Sequence, residues 1–186
     1  MAEPSDSRVF IHTVDAAGNI VAVNGEWVEF ARENGAPELV REAVVGRAIW
    51  EFMEGRETRH ISRLLLDKVR STGKSLTIPY RCDSPDLRRF MEMELVPVDG
   101  GAVEFRSRLL DVERRDPVLL LDPHAGRGDE FLTICSWCRR ARVSSIWVEL
   151  DEAVKMLDLF SSAALPQLTH GICQDCSRLV SEKTTG

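Results

Sequence analysis

Four of the five cysteines in the 186 residues fall in two pairs of one spacing, Cys135-Ser136-Trp137-Cys138 and Cys173-Gln174-Asp175-Cys176. A two-residue gap lets both sulfurs of a pair point inward from a tight turn, so each pair can present two thiolates to one ion. Four thiolates at tetrahedral positions close the coordination sphere and leave no place for a substrate. That is the chemistry of a structural zinc rather than a catalytic one. The site would be formally dianionic, and Arg139, Arg140 and Arg142 follow the first pair closely enough to offset the charge. His170 is a fifth candidate ligand. The preferred set is the four cysteines with His170 as a supporting donor or turn residue, and a set of three cysteines with His170 stays open.

Redox chemistry is the alternative use of the same thiols. One version is a sensor in which oxidation of the zinc thiolates ejects the metal. The other is a thiol-disulfide oxidoreductase. Cys82 alternates with core-type residues and reads as a small buried hydrophobe. No Ser/His/Asp set, phosphate-binding glycine loop or dinucleotide fingerprint occurs, so the chain is expected not to be an enzyme. His12 and His124 have no identifiable partner in the sequence.

The chain is 44% hydrophobic with a net charge of −6, which suits one or two folded domains with a real core. The negative balance argues against nucleic acid as a partner, because phosphate binding needs a basic face. Arg81, Arg88, Arg89, Arg114 and Arg115 are expected to lie on a salt-paired surface, given Asp83, Asp86 and Asp116 beside them. No apolar run approaches the ~20 residues of a membrane span, and Met1 to Asp6 reads as no secretory leader. A reducing cytoplasm is the expected location, and there paired cysteines favour metal over disulfides.

The elements that must position these residues follow from periodicity. Val9 to Val14 and Ile20 to Val23 read as a hairpin around Asp15–Asn19. Asn24 reads as a helix N-cap, with Trp27, Phe30 and Ala31 on one face and Gly35 ending the helix. Ile49, Trp50, Phe52 and Met53 form an apolar knot. Glu57 to Ser71 reads as a helix whose buried stripe is Ile61, Leu64, Leu65 and Val69, closed by Gly73. Leu76 to Cys82 alternates as a strand. Phe90 to Val98 and Ala102 to Leu110 flank Asp99-Gly100-Gly101 as a hairpin. In that register Leu95 faces Phe105, Met91 faces Leu109, Glu94 faces Arg106 and Glu92 faces Arg108. Residues 114–130 read as a partly docked linker carrying the apolar island Val118 to Leu121. Trp147, Leu150, Val154, Leu157 and Phe160 fall at helical spacing between the cysteine pairs, and Leu165-Pro166 is expected to end that unit.

This order, strand-strand-helices-three strands, is an antiparallel sheet with helices on one face. Over residues 8–113 it resembles a PAS domain, a small sensory fold. Asp15, Gly18-Asn19-Ile20, Val23-Asn24 and Trp27 resemble the family's opening hairpin and first helix. Val45-Gly46-Arg47 with Trp50-Glu51-Phe52 resembles the turn into its middle. His170-Gly171-Ile172-Cys173 through Cys176, with the upstream pair, is similar to a C-terminal element that follows PAS and receiver domains in bacteria. The resemblance implies a bacterial signalling protein with a PAS-like sensory domain at 1–113, a linker at 114–130 and a small helical Cys₄ zinc module at 131–186.

What the resemblance implies further is a ligand cleft between sheet and helices. Trp27, Phe30, Trp50, Phe52, Ile61, Leu65, Tyr80, Met93 and Phe105 are its candidate lining, and they serve equally as core. In haem-binding PAS domains an axial histidine comes from the helix that carries His60, so His60 is the position a haem would use. Neither haem nor flavin is expected, since a thiol-linked flavin would need an Asn-Cys-Arg-type motif that is absent. No output domain is read in the sequence. The expected output is therefore contact with a protein partner, with homodimerisation common among such domains.

Overall fold

The computed structural model describes residues 8–160 and 164–185. The polar opening stretch, residues 1–7, lies outside them. β1 (Val9–Val14) and β2 (Ile20–Val23) form the first hairpin. Its turn is held by Asp15, whose Oδ1 accepts the Asn19 N–H at 2.7 Å. Gly18 takes φ +89° there, and a Cβ on it would stand 2.9 Å from Trp50 Nε1. Asn24 caps α1 (Gly25–Glu33): its Oδ1 accepts the N–H groups of both Trp27 and Ile11 at 2.9 Å. One side chain thus starts the helix and ties it to β1. α2 (Arg41–Val44) and a 3₁₀ turn at Ile49–Phe52 lead into α3 (Arg56–Thr72), which ends on Gly73 in the left-handed conformation.

β3 (Leu76–Arg81), β4 (Leu87–Pro97) and β5 (Val103–Arg114) complete a five-stranded sheet of order β2-β1-β5-β4-β3, antiparallel throughout. The last hairpin has the expected register, with Leu95 opposite Phe105, Met91 opposite Leu109, Glu94 opposite Arg106 and Glu92 opposite Arg108. The inner face buries Val14, Ile78, Leu95, Val103 and Phe105 under α3. This is the α+β architecture, an antiparallel sheet with helices packed on one face, that the order of elements implied.

Two details differ from the periodicity. In α3 the buried residues are Ile61, Ser62, Leu65, Leu66 and Val69, while Leu64 is exposed. The helix touches β4 and β5 and also β9 and α5, so its buried arc is turned toward Leu66. Arg81 is the other. Its N–H donates to the Trp137 carbonyl at 2.7 Å, so the open edge of β3 is covered by the C-terminal segment.

That segment is more than linker and helix. β6 (Arg127–Cys135), β7 (Ala141–Val143), β8 (Ile146–Val148) and β9 (Leu165–Gly171) form a second sheet of order β8-β7-β6-β9. β6 begins inside the stretch read as linker, and Leu165-Pro166 opens a strand instead of ending the unit. The helix between the pairs, α4, is only Leu150–Met156, and Trp147 sits in β8. Short strands of three residues carry too little alternation to be read beside a helical spacing. α4 with Val118 and Leu120 covers one face of the second sheet, burying Leu132, Ile134, Val148, Leu150 and Val154. α5 (Gln174–Thr185) closes the chain against α3.

Gly18 and Gly46 share φ +89°, but only Gly18 has a neighbour where a Cβ would go. Gly18→Ala is expected to cost about 2 kcal/mol or more, and Gly46→Ala about 1 kcal/mol, the strain of the left-handed conformation alone. Urea unfolding of the two variants checks the order.

Candidate metal centre

β6 and β9 run parallel, with Cys135 opposite Gly171. Two parallel neighbours end at the same edge, so the turns that follow them stand side by side. A parallel pair needs a crossover connection, and β7, β8 and α4 supply it. The first turn is closed by the Arg139 N–H on the Cys135 carbonyl (3.0 Å) and the Cys135 N–H on the Arg140 carbonyl (2.7 Å). Arg139 takes φ +62° to make it. The second turn starts α5, with the Ser177 N–H on the Cys173 carbonyl at 2.9 Å. Gly171 leaves room for this approach, since a Cβ there would meet Thr133 Cγ2 at 3.0 Å.

The sulfurs of Cys135, Cys138, Cys173 and Cys176 lie within 4.8 Å of one another. Cys138 and Cys173 Sγ are 3.7 Å apart. Sulfurs ~2.3 Å from a tetrahedral zinc stand about 3.8 Å apart, so the spacing fits a closed four-sulfur site. Backbone donors serve the charge. The Cys173 N–H points at Cys135 Sγ and the Cys176 N–H at Cys173 Sγ, both at 3.4 Å. Hydrogen bonds from Cys138 and Cys176, and from the backbone, hold the Cys135 thiol far below its ordinary range. Burial pushes Cys173 up to about 11, and hydrogen bonding to Cys135 and Cys138 raises Cys176. One thiolate is favoured and its neighbours resist a second, the pattern of crowded like charges that a cation would relieve.

Of the three arginines, Arg140 is the one at the cluster. Partial burial works against its charge, but Cys138, Cys173 and Asp175 outweigh it and raise its pKa. Its Nη2 lies 3.1 Å from Asp175. Arg139 has a buried Nε without a hydrogen-bond partner, and Arg142 is exposed. His170 is not in the four-sulfur group. Its Nδ1 stands 3.3 Å from Glu54, and burial lowers its pKa despite that carboxylate. Its Cβ lies against Gly55 at the start of α3. Cys82 is half-buried and burial raises its pKa, the reverse of what a reactive thiolate needs.

The cysteine corner belongs to the core of the first sheet. Cys135, Trp137, Cys173, Cys176 and Val180 pack in one apolar cluster with Ile61, Leu65, Leu66 and Val69 of α3. Thr58 Oγ1 meets Ser136 Oγ at 2.5 Å. Eight of the nine candidate cleft residues join this cluster, Ile61, Leu65 and Phe105 fully buried and Trp27, Trp50, Phe52, Tyr80 and Met93 partly so. Phe30 instead packs on Phe10, ring centres 4.3 Å apart. They pack as core. His60 is exposed on α3, away from the residues that α3 buries.

Sequence reasoning missed two groups. His12 points inward between Phe10 and Val14, stacked on Phe105 at 4.5 Å and edge-on to Trp27 at 6.4 Å. Its Nε2 is buried without a hydrogen-bond partner, and burial lowers its pKa to about 4. The alternation of β1 was the available signal. The second group is a buried ionic junction. Asp83, with no exposed side-chain surface, lies between Arg81 (2.5 Å) and Arg115 (3.3 Å), and Arg81 also reaches Glu149 at 2.8 Å. Arg88 reaches Asp151 at 2.5 Å. Arg81, Arg88 and Arg115 are salt-paired as expected, but Arg81 and Arg115 are buried, and Glu149 and Asp151 come from the start of α4. No local pattern announces such pairs.

No family model matches the sequence. The chain is 33% identical over 99 residues to an uncharacterized 104.1 kDa protein in the hypE 3′ region of Rhodobacter capsulatus. The match covers 49% of this chain and 10% of that protein, so the chain spans about a tenth of its relative's length. Among solved structures, a domain of an HTR-like protein from Haloarcula marismortui aligns with 55% of this chain and 97% of its own, at 18% identity and TM-score 0.40. A sensory box sensor histidine kinase from Vibrio cholerae aligns with 57% of this chain and 85% of its own, at 13% identity and TM-score 0.40. No helix among the described residues is long and apolar enough to cross a membrane.

Two outcomes follow from the buried charges. Asp83→Ala leaves Arg81 and Arg115 without their shared counter-ion and is expected to cost about 3–5 kcal/mol. Glu149→Gln, at a third exposed, is expected to cost under about 1 kcal/mol; urea unfolding at pH 7 compares them. For His12 the folded pKa of about 4 lies below the ordinary 6.5. Between these values the unfolded chain holds a proton that the folded chain refuses. Its contribution is complete above pH 6.5 and is lost on acidification, by up to about 1.4 kcal/mol per pH unit. His12→Phe is expected to flatten that part of the stability profile between pH 7 and 4.5.

Proposed function

We propose that this chain is a PAS-type sensory or adaptor module of bacterial signal transduction, whose structural zinc fastens a partner-binding C-terminal element to the sensory sheet. The observation that carries the reading is the shared core: the sulfurs that would hold the metal pack with α3 of the first sheet. Zinc suits the donor set, since four thiolates in tetrahedral spacing select a soft, closed, non-catalytic site. When bound it would neutralise the thiolates and hold β9 and α5 in one pose beside α3. The solvent face of α5 then becomes a surface of fixed position for a protein partner. The reading places the chain in the cytoplasm, where thiols stay reduced, without enzymatic activity of its own, and pairing with a second copy as such domains do.

A second reading rests on Cys138, the one cysteine of the four that is not buried. Hydrogen peroxide could take two electrons from two of the thiolates, forming a disulfide while its O–O bond is cleaved to two hydroxide ions. The zinc would lose two ligands and leave. This makes the same site a redox switch.

Metal analysis of freshly purified protein is expected to give one zinc per chain, with no Soret or flavin band. Cys176→Ser is expected to lose the metal and several kcal/mol of stability, while Cys82→Ser keeps one zinc per chain. Amide exchange in α3 should rise when a chelator removes the metal. Metal content near zero in reduced protein, or α3 protection indifferent to the chelator, would reject the proposal. Zinc release by peroxide that a reductant reverses would select the second reading.

A further inference from the structure

Arg56, Arg59, Arg63 and Arg70 fall at i, i+3, i+7 and i+14 of α3, so they line one flank of the helix. All four lie outside the residues that α3 buries. Arg56, Arg59 and Arg63 are exposed and Arg70 is half-buried. None has an ion-pair partner among the described residues. The groups that hold them are neutral. Arg59 Nε donates to the Met53 carbonyl at 2.9 Å. Arg70 donates to the carbonyls of Gly101 at 3.0 Å and Asp15 at 2.7 Å. The Arg63 guanidinium lies over the Trp50 ring, 4.5 Å from its centre. Carbonyls and a ring fix these cations without cancelling their charge.

The neighbouring carboxylates have other partners. Glu51 pairs with Arg47, Glu54 faces His170, and the Asp15 carboxylate accepts from Asn19. On α3 itself Glu57 is about 100° round the helix from Arg56. Asp67 shares the side of the line and makes no ion pair among the described residues. Four cations thus stand against one carboxylate in a chain whose net charge is −6. Arg56 and Arg59 also occupy the first turn of α3, where the helix dipole opposes a cation. The N-cap, Gly55, gives that turn no side-chain hydrogen bond. A carboxylate placed there answers both the guanidinia and the helix end. The seven-residue step from Arg56 to Arg63 to Arg70, about 10.5 Å each time, is the repeat of one helix lying along another.

We propose that this flank of α3 docks an acidic helix of a partner protein, one whose carboxylates recur every seven residues. Arg56 and Arg63 keep their guanidinium forks free for carboxylates, the geometry that suits arginine. Arg59 and Arg70 add positive charge beside them. The fixed guanidinia lose little freedom on docking. A nucleic-acid backbone lacks the seven-residue repeat, and its phosphates meet repulsion from the rest of an acidic chain. This docking rests on the partner-binding part of the function proposed above and uses neither the metal nor α5.

The test is fluorescence-anisotropy titration of the full chain, as purified, against two labelled alanine-rich helical peptides of about 20 residues, long enough to cover Arg56 to Arg70. One carries paired glutamates every seventh residue. The other has the same composition with its glutamates spread round the helix. The first is expected to bind saturably, at least 10-fold tighter than the second, and to weaken as salt rises. The variant R56E/R63E should lose at least 10-fold in affinity, with the parent's melting temperature and metal content. R56Q/R63Q, which removes the charges without reversing them, should weaken binding in the same direction. Arg178→Glu, on the exposed side of α5, should bind as the parent does. Two peptides bound alike, or R56E/R63E binding as the parent does, overturns the proposal. Loss of binding in Arg178→Glu instead would move the partner surface to α5, which overturns this docking and leaves the function proposed above standing. A DNA duplex or a phosphatidylserine vesicle that binds where the acidic peptide does not would overturn it in favour of phosphate.

Discussion

Four sulfurs held within 4.8 Å of one another cannot all be ionised unless positive charge lies among them, and much of this molecule is arranged around that constraint. Two turns must stand side by side to create the crowding, and parallel pairing of β6 and β9 puts them there. Backbone N–H groups and Arg140 supply partial compensation, and the spacing suits a divalent ion for the rest. The corner is buried rather than perched. Its sulfurs are packed among Leu65, Leu66 and Val180, where uncompensated charge is costly.

The consequence is mechanical. A separate zinc-bound lobe on a linker would move freely of the sheet before it. Here Trp137 continues the edge of β3, Ser136 meets Thr58 on α3, and His170 packs against the residue that starts α3. On the other side of β3, Asp83 draws Arg81 and Arg115 inward, and Glu149 and Asp151 answer from α4 and the residue before it. The two sheets keep distinct apolar clusters, yet the chain crosses between them at an apolar corner and an ionic one.

The inner face of the first sheet carries aromatic rings, Phe10 against Phe30 and Phe105 against His12. His12 is the exception in kind, a neutral imidazole among Phe105 and Trp27 whose Nε2 has no hydrogen-bond partner. Buried polar atoms in that state are uncommon.

By itself the sequence determined what local chemistry and period can express. Asn24 had to cap a helix, the Asp99-Gly100-Gly101 turn had to set the register that puts Leu95 against Phe105, and two Cys-x-x-Cys pairs had to offer four thiolates. Only the tertiary structure decided what lies far apart in the chain. The three-residue strands β7 and β8 are too short to show alternation, so the second sheet was hidden behind a helical spacing. Leu66 rather than Leu64 is buried because α3 has neighbours on two sides. Arg81 reaches Glu149 across 68 residues and Arg88 reaches Asp151 across 63, and a charge has no period by which to find so distant a counter-ion.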